Sequence, residues 1–365
     1  MRSPRIGVTY DLRSDYLAQG YSDEEVAEFD SEVTIDAICD ALKSLGFEPV
    51  RIGGVKKLAE ALVKGERWDA VFNFCEGMHG LSREAQVPAM LDMYQIPHVF
   101  SDALTMAITL HKGVTKQVVR DAGVRTADFF VVERVEDLKK VKLPYPLFAK
   151  PAAEGSGKGV GTKSKVKNAA QLKATVTDLL AKFRQPILIE TFLPGREFTV
   201  GITGTGEDAQ VLGVTEILPG SNWVGDGYGF ENKEYWEDKV SNRLAPAADA
   251  KAAGSVALAA WRALRCRDGG RVDVRYDAKG KPNFIEVNPL AGMRPDYSDL
   301  CYIAKYKGVS YLQLIGKIMD SFLKRHPELR PQGAKPQVLK RVAKRPSAKA
   351  RPHKSRTGKP RRQAA

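Results

Sequence analysis

The chain has 365 residues, 43% of them hydrophobic, and a formal net charge of +13 at pH 7. Length and composition support two or three domains with sizeable cores, and no run of about 18 apolar residues offers a membrane span. Residues 331–365 hold twelve Lys or Arg and no acid, which leaves 45 basic against 44 acidic residues elsewhere. A body so close to neutral argues against nucleic-acid binding as the main function. The tail is rich in Pro, Ala, Lys and Arg and poor in aliphatic bulk, so residues 329–365 read as a disordered basic segment. It is able to bind polyanions non-specifically, with a solubilising appendage as the competing reading. The N-terminus lacks the apolar core of a secretory signal. Cys39, Cys75, Cys266 and Cys301 show no CxxC spacing and sit in apolar contexts, so free buried thiols and a cytoplasmic location are expected.

Taken in order, residues 5–10 (RIGVTY) form a short apolar run suited to a buried first strand. Apolar residues at 33, 35, 38, 42 and 45 recur at helical spacing behind a cap at Asp30 or Ser31, and Gly46 ends that helix. Residues 49–52 read as a strand, 55–62 as a short helix and 68–74 as another buried strand. This alternation predicts an α/β layer on a parallel sheet. Ligands of such sheets sit at the carboxyl ends of the strands, here the loop 75–84, CEGMHGLSRE. Residues 86–93 are helical, 96–100 form a strand, and 105–123 read as one helical stretch carrying Lys112 and Lys116. Strands follow at 126–132 and 144–150. A glycine-rich loop, 154–161, separates the last of these from another β-like segment. Residues 166–183 are mostly helix, and 185–190, 197–204 and 211–217 are strands. A long polar and aromatic loop at 220–238 is unusual inside a domain and so reads as functional. Residues 247–264 form an alanine-rich helix and 311–323 an amphipathic one.

Between those last two helices lies a predicted β-hairpin, with strands at 271–276 and 283–287 around a turn at 277–281. Side chains two apart on a strand share a face. Arg271 and Asp273 therefore stand together on one strand, with Glu286 and Asn288 on the other. Two carboxylates and an amide, without His or Cys, suit a hard cation such as Mg²⁺, which shares its sphere with substrate phosphates. A solvated hairpin face is the competing reading. The loop EGSGKGVG has four glycines in eight residues. Such loops let backbone N–H groups converge on phosphate oxygens, and Lys158 adds charge. It is neither a dinucleotide fingerprint nor a Walker A loop, since a β-like segment follows it; a flexible turn competes. Lys112 and Lys150 are point charges suited to a polyphosphate. In IETFLPGRE, Glu190, Phe192 and Leu193 precede Glu197, an order that suits a nucleoside: walls for the base, a carboxylate for the ribose.

Four blocks stand in order: HKGVTKQVVRDAGV, FAKPAAEGSGKGV, LIETFLPGREFTVGI and RVDVRYDAKGKPNFIEVNPLAGM. Together they resemble the ATP-grasp superfamily, and within it the D-alanine–D-alanine ligase group, over residues 5–323. The resemblance implies a mixed α/β and α+β protein, with an N-terminal parallel-sheet α/β domain followed by a two-lobed ATP-grasp fold. The domains would be 1–103, 104–200 with the phosphate loop, and 201–328 with the metal site. It further implies that Lys112 and Lys150 contact the ATP phosphates, covered by Glu154, Gly155, Ser156, Gly157 and Gly159, with Lys233 in the same site. Glu190, Phe192 and Leu193 would frame adenine, and Glu197 would take the ribose. Asp273, Glu286 and Asn288 would hold two Mg²⁺ ions, with Mn²⁺ as an alternative. Arg271, Ser156 and the Gly292 backbone N–H would be catalytic. The implied reaction is ATP-dependent carboxylate–amine ligation through an acyl phosphate, on small amino-acid substrates. A homodimer is compatible with it, as is a role in peptidoglycan biosynthesis.

The substrate half departs from that pattern. Glu76-Gly77 and Arg83-Glu84-Ala85 replace a His-Gly and a Gly-Glu-Asp-Gly. Asp30 stands in for the N-terminal glutamate that faces the first D-alanine. Glu76 and Arg83 read as a charge pair suited to a zwitterionic amino acid, with a structural salt bridge competing. Asn288-Pro289-Leu290-Ala291-Gly292-Met293 replaces Asn-Thr-x-Pro-Gly-Met, and Lys233 is followed by Glu234 rather than Tyr. D-Alanine–D-alanine ligation is the best-named activity. Ligation of another amino acid or peptide, and a non-catalytic ATP-binding regulatory protein, stay open.

Overall fold

The apolar run at the start of the chain becomes strand β1 (Arg5–Tyr10), whose four central residues are buried. In the computed structural model, which describes residues 2–227, 229–234 and 239–331, a short helix α1 (Arg13–Leu17) follows, then α2 (Glu32–Ser44), β2 (Glu48–Gly53), α3 (Val55–Val63), β3 (Ala70–Phe74), α4 (Gln86–Met93) and β4 (His98–Val99). The four strands form a parallel sheet in the order β2-β1-β3-β4. One face packs through Leu58, Leu62, Trp68 and Leu91. The other joins Ile35, Ile38 and Leu42 of α2 to residues from the far end of the chain. Parallel strands buried on both faces account for the unbroken apolar runs seen in β1 and β3.

The stretch expected as one helix over 105–123 is two, α5 (Ala103–Leu110) and α6 (Lys112–Asp121). His111 leaves helical geometry at φ −87°, ψ 90°, and its Nδ1 accepts from the Val114 N–H. A side chain that bonds the next turn's backbone competes with helix continuation. The break sets Lys112 at the start of α6, where its N–H donates to the Ala152 carbonyl.

Strands β5 (Phe129–Val132), β6 (Leu147–Pro151), β7 (Lys165–Val166) and β8 (Ile187–Thr191), with helix α7 (Ala169–Phe183) between the last two, make an antiparallel sheet in the order β5-β8-β6-β7. Leu172 and Val176 of α7 pack on Leu147, Ala149 and Ile187. The strand expected directly after the glycine loop is displaced to β7, because the turn runs on to Ser164, whose hydroxyl accepts from the Gly161 N–H.

The third sheet holds β9 (Glu197–Thr203), β10 (Gln210–Pro219), β11 (Val240–Leu244), β12 (Gly269–Tyr276) and β13 (Pro282–Asn288), in the order β11-β10-β9-β12-β13. Between β10 and β11 lies α8 (Phe230–Glu234), and α9 (Ala247–Ala263) precedes β12. The small side chains Ala253, Ala257 and Ala260 of α9 let Trp261 and the helix lie flat on Val200, Val272 and Phe284. The chain closes with α10 (Asp299–Tyr306) and α11 (Tyr311–Arg325), the latter started by a Ser310–Gln313 capping box. Ile315, Ile318 and Phe322 of α11 belong to the same apolar cluster as Ile6 and Val8 of β1. The C-terminal helix is thus part of the core of the N-terminal sheet. The 220–238 segment, expected as a loop, contains α8; Asn232 is 1% exposed and staples it, donating to the Val224 and Gly227 carbonyls. The basic tail beyond Pro331 lies outside the described residues. All four cysteines are free and buried. Among the described residues no helix is long and apolar enough to cross a membrane.

Candidate functional site

Two adjoining cavities lie between the two antiparallel sheets and the N-terminal layer. The hairpin β12–β13 forms the floor of both. Its register sets Arg271 opposite Asn288 and Asp273 opposite Glu286, before an irregularity at Asp273–Val274 brings Val274 opposite Phe284. The extra residue, Ile285, therefore turns into the first cavity beside Glu286.

The first cavity, a cleft of about 720 Å³, is lined by Lys112, Lys150, Glu154, Gly157, Glu190, Phe192, Leu193, Glu197, Asp273 and Glu286, among others. Ten of the residues singled out from the sequence meet here, from six segments of chain. Lys150, one residue before the end of β6, reaches one oxygen of Glu190 at 3.2 Å; Lys116, wholly buried, reaches the other at 2.9 Å. Burial would raise the Glu190 carboxyl, but the two ammonium groups prevail and hold it down to about 2. For Lys116 burial is the larger effect and its pKa falls; Lys150, facing Glu190 and Glu286 together, is raised despite burial. Glu190 is therefore a fixed anion that positions two cations, rather than a carboxylate free to frame a base. Lys112 lies 3.4 Å from Glu286 and donates to the Glu154 carbonyl. Glu197 meets Arg275 at 3.2 Å. Arg275 and Lys165 lie over the Phe192 ring at 5.3 and 4.2 Å, and Phe148 stacks beside it.

The glycine loop covers this cleft. Gly157 has φ +70°, and a Cβ there would lie 2.7 Å from the Gly229 and Phe230 backbone. The Phe230 N–H donates to the Gly157 carbonyl, so the start of α8 rests directly on the loop. Gly155 abuts the Glu28 carboxylate in the same way. Gly159, in contrast, is turned against Pro151 and Phe183 and lines neither cavity. Its contribution is to the shape of the turn. The side chain of Lys233, on α8, lies outside the described residues.

The second cavity, about 2020 Å³ up to its open mouth, is lined by Gly155, Ser156, Arg271, Asn288, Gly292, Asp30 and Glu76 from the sequence-derived set. Arg271 Nη1 is 2.5 Å from Asp273 and 3.9 Å from Asp299. These carboxylates keep its guanidinium charged against the cost of burial. Asp273 also accepts from the Thr199 hydroxyl at 2.9 Å. Asn288 Oδ1 accepts from the Leu290 N–H, which fixes the amide at the junction of the two cavities.

Glu76 and Arg83, read as a pair from the sequence, do not pair. Arg83 is buried against Glu28 at 2.9 Å, Glu154 at 3.5 Å and the Ala153 carbonyl at 2.9 Å. Lys158 reaches the same two carboxylates at 3.0 and 2.6 Å. Although burial opposes it, Arg83 and Lys158 hold Glu28 down to about 2. This four-residue knot ties the N-terminal segment to the glycine loop, and Glu28 gave no signal in the sequence because its partners are 55 and 130 residues away. Lys116 and Arg275 were missed for the same reason: each matters through a partner supplied by another element.

The donor set at the hairpin fits a divalent cation in kind. Asp273 and Glu286 are directly opposed carboxylates on the cleft floor, with the Asn288 amide beside them. Among the described residues no three carboxylate, His or Cys side chains converge, so phosphate and water oxygens would have to complete an octahedral sphere.

Comparison with known proteins gives a consistent result. A family model for the D-ala D-ala ligase C-terminus matches residues 118–320. A D-alanine–D-alanine ligase of Actinobacillus pleuropneumoniae is 32% identical over 290 residues, covering 78% of this chain and 90% of the relative. One from Alcanivorax borkumensis is 30% identical over 328 residues, covering 89% and 96%. The crystal structure of a Bacillus anthracis D-alanine–D-alanine ligase complexed with ATP superposes with a TM-score of 0.67 at 22% identity, over 89% of this chain and 99% of that one. A D-Ala:D-Ser ligase from Enterococcus faecalis gives 0.68 at 20%, over 88% and 100%. These two likenesses speak for the fold.

Proposed function

The chain belongs to the D-alanine–D-alanine ligase family of ATP-grasp carbon–nitrogen ligases, and from that premise we propose that the two cavities hold ATP and the amino-acid pair of an amide-forming reaction. The observation that carries this reading is the hairpin register. It sets Asp273 and Glu286 across from each other on the floor of the cleft that Lys112 and Lys150 enter. Arg271 lies one alternation away, in the adjoining chamber.

A carboxylate is a poor electrophile because its oxygen is a poor leaving group. Phosphorylation by ATP gives an acyl phosphate that an amine attacks with loss of phosphate. The protein's part is to position and to stabilise charge. Lys112 and Lys150 would neutralise the β- and γ-phosphates. Phe192 and Leu193 would wall the base, and Glu197, held by Arg275, would accept from the ribose. Asp273, Glu286 and Asn288 would hold Mg²⁺, which when bound would neutralise the charge that develops on the phosphates. Arg271 and the Gly292 N–H would face the oxyanion of the tetrahedral centre. The glycine loop and the start of α8, in contact through Gly157 and Phe230, would exclude the water that otherwise hydrolyses the acyl phosphate. D-Alanine as both donor and acceptor is the activity its relatives' names suggest.

The test is ADP release with Mg²⁺ across a panel of D- and L-amino acids, with the dipeptide identified by mass. Asp273→Asn and Glu286→Gln should each lower kcat by at least about 100-fold while keeping the wild-type unfolding midpoint. Full turnover in either variant would remove the hairpin from the reaction.

A further inference from the structure

Among the described residues, two carboxylates that face the chamber beside the nucleotide cleft have no partner. Glu28, Asp30, Glu76, Glu84 and Asp299 line it, together with Arg13, which meets Asp23, Arg271, which meets Asp273 and Asp299, and Arg294. The cations on that side are already committed: Arg83 and Lys158 satisfy Glu28 and Glu154, and Lys112 is engaged with Glu286. Arg294 is the charge that acts on Asp30. Glu84 is only 9% exposed, faces the chamber and, among the described residues, makes no hydrogen bond or ion pair. The same is true of the side-chain contacts of Glu76. A carboxylate removed from water without a partner is costly unless it keeps a proton or meets a cation. Burial, added to repulsion from Glu28, carries Glu84 up to about 7 even with Arg83 nearby. Burial and the charges of Glu84, Glu28 and Asp30 raise Glu76 well above the usual carboxylate range.

A metal ion is a poor fit for this surplus, because among the described residues no three such side chains converge closely enough to ligate one. The two carboxylates face the open chamber rather than one another's ligand sphere. In an amide-forming reaction the acyl donor brings one α-ammonium, and the acceptor must attack as a neutral amine. That single α-ammonium can meet only one of Glu76 and Glu84, so the other keeps its proton or meets a second cation.

We propose that one of the two amino-acid substrates carries a second, side-chain cation, as a diamino acid does, and that Glu76 and Glu84 form its subsite. The inference rests on the ligase reading above and adds the substrate class to it. Glu76 and Glu84 would be specificity-determining groups, each inclined to hold a proton when the chamber is empty and ionised when the side-chain cation enters. Binding should therefore release protons at pH 6.5, where an empty-chamber Glu84 is largely protonated.

The experiment titrates the full-length protein with lysine, ornithine and alanine, in D and L forms, by calorimetry in two buffers of different ionisation enthalpy. ADP release is followed in parallel. A diamino acid should bind at least tenfold more tightly than alanine, with proton release at pH 6.5. In Glu84→Gln and, separately, Glu76→Gln, the ratio of diamino acid to alanine affinity should fall at least tenfold, and proton release should shrink. Equal or tighter binding of alanine, or a ratio unchanged in both variants, would overturn the proposal. If alanine alone drives dipeptide formation, the ligase reading stands and this inference falls. If a diamino acid binds with the stated charge dependence but no amino acid stimulates ADP release, the subsite stands and the ligase reading falls.

Discussion

Glu190→Gln removes one negative charge from between two buried lysines. Lys116 approaches one oxygen of Glu190 at 2.9 Å and Lys150 the other at 3.2 Å, and all three residues are buried. Glutamine keeps the shape but leaves two ammonium groups without a counter-charge. Against the effect of burial, the lysines hold the Glu190 carboxyl down from 4.5 to about 2. At about 1.4 kcal/mol per unit, that depression corresponds to about 3 kcal/mol of stability. This is the lower end of the ~3–5 kcal/mol expected when one partner of a buried pair is removed. The folded-state value lies below the unfolded one, so the contribution is fully present above pH 4.5 and is lost as pH falls toward 2. Urea unfolding of both proteins at pH 7.5 and pH 3 measures it. The variant should be about 3 kcal/mol less stable at pH 7.5, and its deficit should fall to less than half of that at pH 3. A deficit under about 1 kcal/mol at pH 7.5, or one that does not change with pH, would refute the view of Glu190 as the anion that organises Lys116 and Lys150.

Two further outcomes follow from the same geometry. Gly157→Val puts a branched side chain at a positive φ and against the Gly229–Phe230 backbone. It should part the glycine loop from Gly229 and the start of α8 and raise the KM for ATP at least tenfold, with little change in the urea midpoint; an unchanged KM would mean the contact is not part of closure. Truncation after Pro331 removes none of the residues that line either cavity, so kcat and KM should stay within about twofold while retention on heparin at low salt is lost. A collapse in turnover would assign the tail a role in the reaction.

Much of this site was legible in the sequence because its parts are local patterns. The hairpin residues Arg271, Asp273, Glu286 and Asn288 follow from period-2 alternation around one turn. The glycine loop and Lys150 follow from a strand that ends in a run of glycines. Ten such residues do meet in one cleft. The errors share a cause. A single helix over 105–123 is what propensity favours, yet His111 interrupts it, and the interruption aims Lys112 at the cleft. Helix α8 was hidden because its stability comes from the Asn232 side chain and from contact with Gly157 rather than from helical periodicity. Glu76 and Arg83 were paired because they are close in sequence and opposite in charge; in space Glu28 and Glu154 reach Arg83 first.

What the sequence determined by itself is therefore the parallel α/β layer, the hairpin that sets Asp273 opposite Glu286, the glycine loop and the family, all encoded in short-range spacing that backbone geometry converts directly into local structure. Only the tertiary structure decided which charges neutralise which. Glu190 between Lys116 and Lys150, Glu28 between Arg83 and Lys158, and Glu84 left without a partner depend on distances across three sheets. Electrostatic pairing depends on separation in space and on loss of water, and neither is written in the order of the residues.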